Sequence, residues 1–278
     1  MELFDLLQYT FIQHALWGCL FASIACGIIG TYIVTRRLVF ISGGITHASF
    51  GGIGIGLFTG ISPILCAGIF SVLSAFGVEW LSKQKDMRED SAIAIFWTFG
   101  MAIGIIFSYL TPGATPDLSS YLFGNILMIT IEDILALAVI SILLIVLFSC
   151  CFHTMVEIAF DRVFARSQRQ PVVGVEYLMM FFIALTIVAS LRMVGIVLVI
   201  SLLTLPAVTA NLFTNRFKNM LLLSIFFGFI SCLVGLIISY QLQIPSGATI
   251  IFFSILMYAF CKMVKSIYIC RNKKQNGN

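Results

Sequence analysis

Residues 62–81 read SPILCAGIFSVLSAFGVEWL, residues 82–90 read SKQKDMRED, and residues 91–110 read SAIAIFWTFGMAIGIIFSYL. A short charged stretch therefore separates two apolar runs. Each run has about the 20 residues that a helix needs to cross the hydrocarbon of a bilayer. The same alternation continues outward to both ends. Further apolar runs lie at 14–35, 39–60, 132–151, 176–191, 193–212, 219–240 and 246–268, which makes nine candidate spans. The chain of 278 residues is 60% hydrophobic and only 10% charged, with a mean hydropathy of +1.07. Soluble domains carry about 25% charged residues. A water-soluble enzyme and a disordered chain are both excluded as starting points. Leu, Ile, Phe, Met and Ala dominate the runs, without the roughly ten-residue alternation of a membrane barrel. The reading is an all-α polytopic membrane protein.

The basic residues test the count. Arg36 and Arg37, then Lys83, Lys85 and Arg88, then Arg162, Arg166 and Arg169, then Arg216 and Lys218, and finally Lys262, Lys265, Arg271, Lys273 and Lys274 all fall on one side of a nine-span chain. Only Arg192 falls on the other. The positive-inside rule makes the crowded side cytoplasmic, with the N-terminus outside and the C-terminus inside. The first run is not a cleavable signal peptide, because Glu2 and Asp5 stand where a basic region belongs. Eight spans, or ten with a half-helix near 118–131, remain open. The second span holds seven glycines between 38 and 60, which predicts a short, broken or tightly packed helix. Residues 1–270 read as a single transmembrane domain, with a polar cytoplasmic tail at 271–278.

The loops differ in character. The stretch TPGATPDLSSYLFGNILMIT, beginning at Thr111, has no Lys or Arg. The loop 152–175 is the longest polar connection and holds a short amphipathic stretch ending before Pro171. It is too small for a catalytic domain and suits a docking role on the membrane face. The chain has no GxxxxGK[ST], HExxH, GxSxG or CxxC. Most of the eight cysteines sit in apolar runs and read as small hydrophobes. A net charge of +4 with scattered cations does not argue for nucleic acid. Uphill transport would need an ion gradient or a separate ATPase. Charge-free runs such as 193–215 and 219–261 disfavour a gradient-coupled relay.

Two segments carry more than hydrophobicity. Ser42–Gly52, SGGITHASFGG, places His47 among small residues that let helix backbones approach. Its imidazole can ligate a borderline transition ion or exchange protons; a capping or packing histidine is the other reading. Thr46 and Ser49 flank it. Leu202–Ala210, LLTLPAVTA, places Pro206 in a late span, where it removes a backbone hydrogen bond. Thr204, Thr209 and Ser201 offer hydroxyls for the freed groups. Such a helix lines a pathway, flexes, or is kinked for packing alone.

Both segments resemble the motifs of the ABC-type permeases for zinc and manganese, sometimes iron (the metal-uptake ABC-3 family). The run Met193–Val199 and the pair Asp117-Leu118 followed by Tyr121–Gly124 fit the same order. The resemblance implies the type II ABC importer permease fold and a homodimer of permease chains in a bacterial cytoplasmic membrane. It implies two cytoplasmic ATPase subunits that bind ATP, an extracytoplasmic metal-binding protein, and a divalent metal ion as cargo. The permease itself would bind no cofactor and catalyse nothing. By the same resemblance His47, and more weakly Asp117, would meet the metal, and Thr46, Ser49, Thr204, Pro206 and Thr209 would line or gate the path. A short helix carrying Asp161, Phe164, Ala165 and Arg166 within 152–175 would dock the ATPase. The family's usual acidic and glycine positions there are Val163 and Arg169. The alternative class is an ion-gradient-coupled secondary transporter.

Overall fold

The computed structural model describes residues 9–112, 124, 126 and 129–275. Its elements are α1 (Thr10–Thr35), α2 (Val39–Thr59), α3 (Pro63–Ser82), α4 (Glu89–Leu110), α5 (Ile131–Cys150), α6 (Phe152–Phe160), α7 (Arg162–Ser167), α8 (Val172–Phe213), α9 (Phe217–Leu242) and α10 (Ser246–Gln275). Among the described residues, nine helical segments are long and apolar enough to cross a membrane. Most of the predicted half-helix near 118–131 and all of Asp117 lie outside the described residues. Helix α10 continues to Gln275, past the predicted start of the tail at 271.

Local chemistry sets the boundaries. Pro63 opens α3 where no backbone donor is needed. Thr130 and Asp133 form a capping box at the start of α5. Gly60 closes α2 in the left-handed region, φ 73°. Glu89 and Asp90 sit in the first turn of α4, complementing its dipole.

Lipid gives helices no hydrophobic reason to associate, so close packing of small residues must do so. The glycine-rich α2 is continuous and tightly packed, not broken. A Cβ on Gly54 would lie 2.4 Å from the carbonyl oxygen of Gly104 on α4, and one on Gly52 would lie 2.4 Å from that of Cys66 on α3. Helix α1 is equally central. A Cβ on Gly30 would lie 2.1 Å from the carbonyl oxygen of Leu203. Ser141 of α5 donates to the Phe21 carbonyl at 2.9 Å. By contrast α4, α5 and α10 leave large apolar side chains exposed, including Ile105, Ile142 and Phe252.

Helix α8 is two spans, α8a (Val172–Leu191) and α8b (Gly195–Phe213), joined at Gly195 with φ 76° and ψ 166°. Contacts with α1 show the reversal. Glu176 meets Arg36, Ser190 meets Cys26, and Met193 meets Gly18. Leu203 then returns to Gly30, and Ala207 and Ala210 cluster with Val34. Only glycine adopts the Gly195 conformation without strain. Gly195→Ala is expected to lower stability by about 1–3 kcal/mol, read as a drop in the thermal unfolding midpoint.

Candidate transport pathway and coupling surface

His47 lies half-buried on α2. Its ring stacks on Trp97 of α4, with centroids 4.5 Å apart and planes 9° from parallel. Its Nδ1 is buried without a hydrogen-bond partner. One imidazole nitrogen is thus kept from water and available as a donor or a lone pair, depending on tautomer. Thr46 and Ser49 are fully buried beside it. Thr46 donates to the Ser42 carbonyl and Ser49 to the Thr46 carbonyl, which leaves their oxygen lone pairs as acceptors. No cluster of three or more His, Cys, Asp or Glu side chains able to hold a metal is found among the described residues.

Pro206 is buried within a helical stretch that continues through it; the break in α8 falls at Gly195. Proline removes the bond to the Leu202 carbonyl. The neighbouring hydroxyls do not replace it. Ser201 donates to Val197, Thr204 to Ile200 at 2.8 Å, and Thr209 to Leu205 at 2.7 Å. Instead the proline ring packs where three helices meet. A Cβ on Gly228 of α9 would lie 3.6 Å from both Pro206 Cγ and Ser23 Cβ of α1. Pro206, Thr204 and Thr209 therefore share α8b, while Thr46, His47 and Ser49 share α2.

Arg36, Lys83 and Arg162 gather at one end, joined through Glu176. Phe217, opening α9, has its ring against Phe148 of α5 and against Phe152 and Phe160 of α6. Lys265 of α10 donates to the Leu212 carbonyl at the end of α8b. There the α6–α7 pair forms a small platform. Asp161 accepts from the backbone N–H groups of Val163 at 2.9 Å and Phe164 at 3.0 Å, capping α7. Ala165 is buried, as are Met155 and Ile158 of α6. Phe160, Val163 and Phe164 are exposed, and so is Arg166. Apolar side chains are thus left uncovered beside charge at this end.

Under this platform lies a charge cluster that the sequence reading did not assemble. Glu79 of α3 and Glu176 of α8a each have only 1% of their surface exposed. Lys83 Nζ lies 2.8 Å from Glu79 Oε1 and 3.5 Å from Glu176 Oε2, and 4.4 Å from the centre of the Tyr177 ring. Arg36 Nη1 reaches Glu176 Oε1 at 3.3 Å and the Tyr32 hydroxyl at 3.1 Å. Arg162, the first residue of α7, bonds Glu176 through Nε and Glu89 through Nη1 at 2.8 Å. Its Nη2 lies 3.9 Å from Glu79. Burial opposes the Arg162 charge, but the Glu176 and then the Glu89 carboxylates outweigh it and hold the guanidinium pKa above its ordinary value. The available signal was Glu79, a lone carboxylate inside an apolar run, four residues before Lys83.

Comparison with known proteins places the chain. Residues 8–265 match the ABC 3 transport family, and the chain belongs to it. It is 38% identical to an uncharacterized membrane protein of Synechocystis, over 91% of this chain and 90% of that one. It is 35% identical to the manganese transport system membrane protein MntC of Halalkalibacterium halodurans, over 92% and 87%. Among solved structures, a chain of PsaBC from Streptococcus pneumoniae, determined in complex with Fab, superposes with a TM-score of 0.82 at 28% identity, covering 93% of each chain. An inward-facing metal-chelate-type ABC transporter shares the fold at a TM-score of 0.73 and 14% identity, over 90% and 85%.

Proposed function

We propose that this chain is the membrane-spanning permease subunit of an ATP-driven importer for a divalent transition metal ion. Manganese is favoured by the manganese transport relative, with zinc and iron as the ions to compare. The observation that carries this reading is the family match over residues 8–265, in a helical body with nine candidate spans among the described residues. The basic end is cytoplasmic under the positive-inside rule, so the N-terminus is outside and the C-terminus inside. ATP is bound and hydrolysed by a separate pair of cytoplasmic subunits, and metal is delivered by an extracytoplasmic binding protein. Two permease chains enclose the path, as a bacterial cytoplasmic-membrane assembly.

The following site roles belong to this reading. The platform of α6 and α7, within the loop 152–175, docks the ATPase through Phe164 and Arg166, with Asp161 fixing the helix end and Ala165 anchoring it. His47 contacts the passing ion through its unpartnered nitrogen, and Thr46 and Ser49 set the polarity of that stretch. A transported ion must leave, so a sparse ligand set suits the task better than a closed cage. Pro206, between Thr204 and Thr209, makes the α8b junction with α1 and α9 a point of relative movement. Asp117, outside the described residues, serves at the outer mouth.

The test is uptake of manganese, zinc and iron, side by side, in vesicles holding the chain with its ATPase and binding protein. Accumulation of at least one of these ions is expected, and failure with all three defeats the reading. In the same assay His47→Ala is expected to lower uptake about tenfold, the scale of one lost metal-shell interaction, while assembly is kept. Undiminished uptake by the assembled variant removes His47 from the path.

A further inference from the structure

We propose that Arg162 is a positioning residue that ties the docking helix α7 to three membrane-spanning helices at once, so that movement imposed on α7 is passed to α3, α4 and α8a together. The inference rests on the reading of α7 as the ATPase platform.

The geometry separates the two faces of α7. Val163, Phe164 and Arg166 are exposed, whereas Arg162 reaches back to Glu176, Glu89 and Glu79. These carboxylates stand near the start of α8a, at the start of α4 and near the end of α3. A guanidinium suits this place because its planar fork presents several donors in fixed directions; an ammonium is a single point charge. The cluster is balanced, with three carboxylates, Glu79, Glu89 and Glu176, against three cations, Arg36, Lys83 and Arg162. Arg162 is nevertheless not the sole cation beside either buried carboxylate. Without it Glu176 keeps Arg36 and Lys83, and Glu79 keeps Lys83. Glu89, 36% exposed at its side chain, reaches water.

Arg162 borders two cavities. One, of about 600 Å³, is lined in part by Arg36, Arg37, Asp161 and Arg162. The other, of about 380 Å³, is lined by Ser82, Lys83, Arg162, Val163 and Arg166. Beside these spaces the guanidinium is held by its ion pairs. Pairs of this kind are strongly directional at hydrogen-bond distance. Shifting α7 must either drag the three helices or break the pairs.

The experiment compares wild type, Arg162→Gln and Arg162→Lys in the complete complex, reconstituted with its ATPase and binding protein. It reads ATPase retention, ATP hydrolysis and manganese uptake. Both variants are expected to retain the ATPase and to hydrolyse ATP. Manganese carried per ATP is expected to fall about tenfold in Arg162→Gln, within the usual range of a coupling between sites, and less in Arg162→Lys. A wild-type ratio in both variants overturns the proposal. If Arg162→Gln fails to assemble, the ratio in Arg162→Lys decides alone. Phe164→Ala and Arg166→Ala test the underlying reading separately. They are expected to weaken ATPase retention, and unchanged retention in both removes the docking surface from α7 whatever the Arg162 ratio shows.

Discussion

Glu176→Ala is expected to destabilise the fold by about 3–5 kcal/mol, the usual consequence of leaving buried opposite charges without their partner. Glu176 is 1% exposed and faces Arg36, Lys83 and Arg162. Its loss leaves Arg36 with the Tyr32 hydroxyl and, among the described residues, no carboxylate within ion-pair distance. Arg36 is itself only 5% exposed at its side chain, so bulk solvent screens its charge little. Glu89→Ala removes a pair of similar length from the same cluster, 2.8 Å to Arg162, but that carboxylate is 36% exposed. Solvent screening reduces its expected cost to about 1 kcal/mol or less. The comparison is made by thermal unfolding of both variants in one detergent. Equal midpoints for the two would show that burial does not set the strength of the cluster.

Gly54→Ala is expected to cost about 3 kcal/mol, at the upper end of overpacking, with partial loss of monodisperse protein. The added methyl would stand 2.4 Å from the Gly104 carbonyl oxygen and 2.7 Å from its Cα. Both are backbone atoms, so relief requires moving α2 away from α4 along their shared face. Gly174→Ala makes the same chemical change in the first turn of α8a, where nothing lies within 4 Å. There it is expected to be neutral or to stabilise by about 0.5–1 kcal/mol, through helix propensity. Thermal midpoints in opposite directions check the pair. A tolerated Gly54→Ala would contradict the close α2–α4 approach.

The membrane spans were legible because hydrocarbon demands long apolar helices whatever their partners. The predicted runs 62–81 and 91–110 stand against Pro63–Ser82 and Glu89–Leu110. The state of α2 was less legible. Glycine density signals both a break and close packing, and only the neighbouring Gly100 and Gly104 backbones decide for packing. The boundary inside α8 was legible, since the apolar runs 176–191 and 193–212 divide within a few residues of Gly195. Pro206 is a visible helix breaker, yet the helical stretch continues through it, while Gly195 takes the positive φ. The charge cluster was the least legible part. Arg36, Glu79, Lys83, Arg162 and Glu176 are scattered over more than half the chain. The cations alone read as loop charges obeying the positive-inside rule. Only helix packing turns them into one balanced group.

The central claim is that this chain forms a path and takes its energy from another polypeptide. Manganese accumulation against its own gradient, in vesicles holding either the chain alone or the chain with ATPase and binding protein, tests it most directly. Concentrative uptake is expected only in the complete set with ATP, and none from the chain alone under an imposed proton or sodium gradient. Accumulation by the chain alone, driven by such a gradient, would contradict the account.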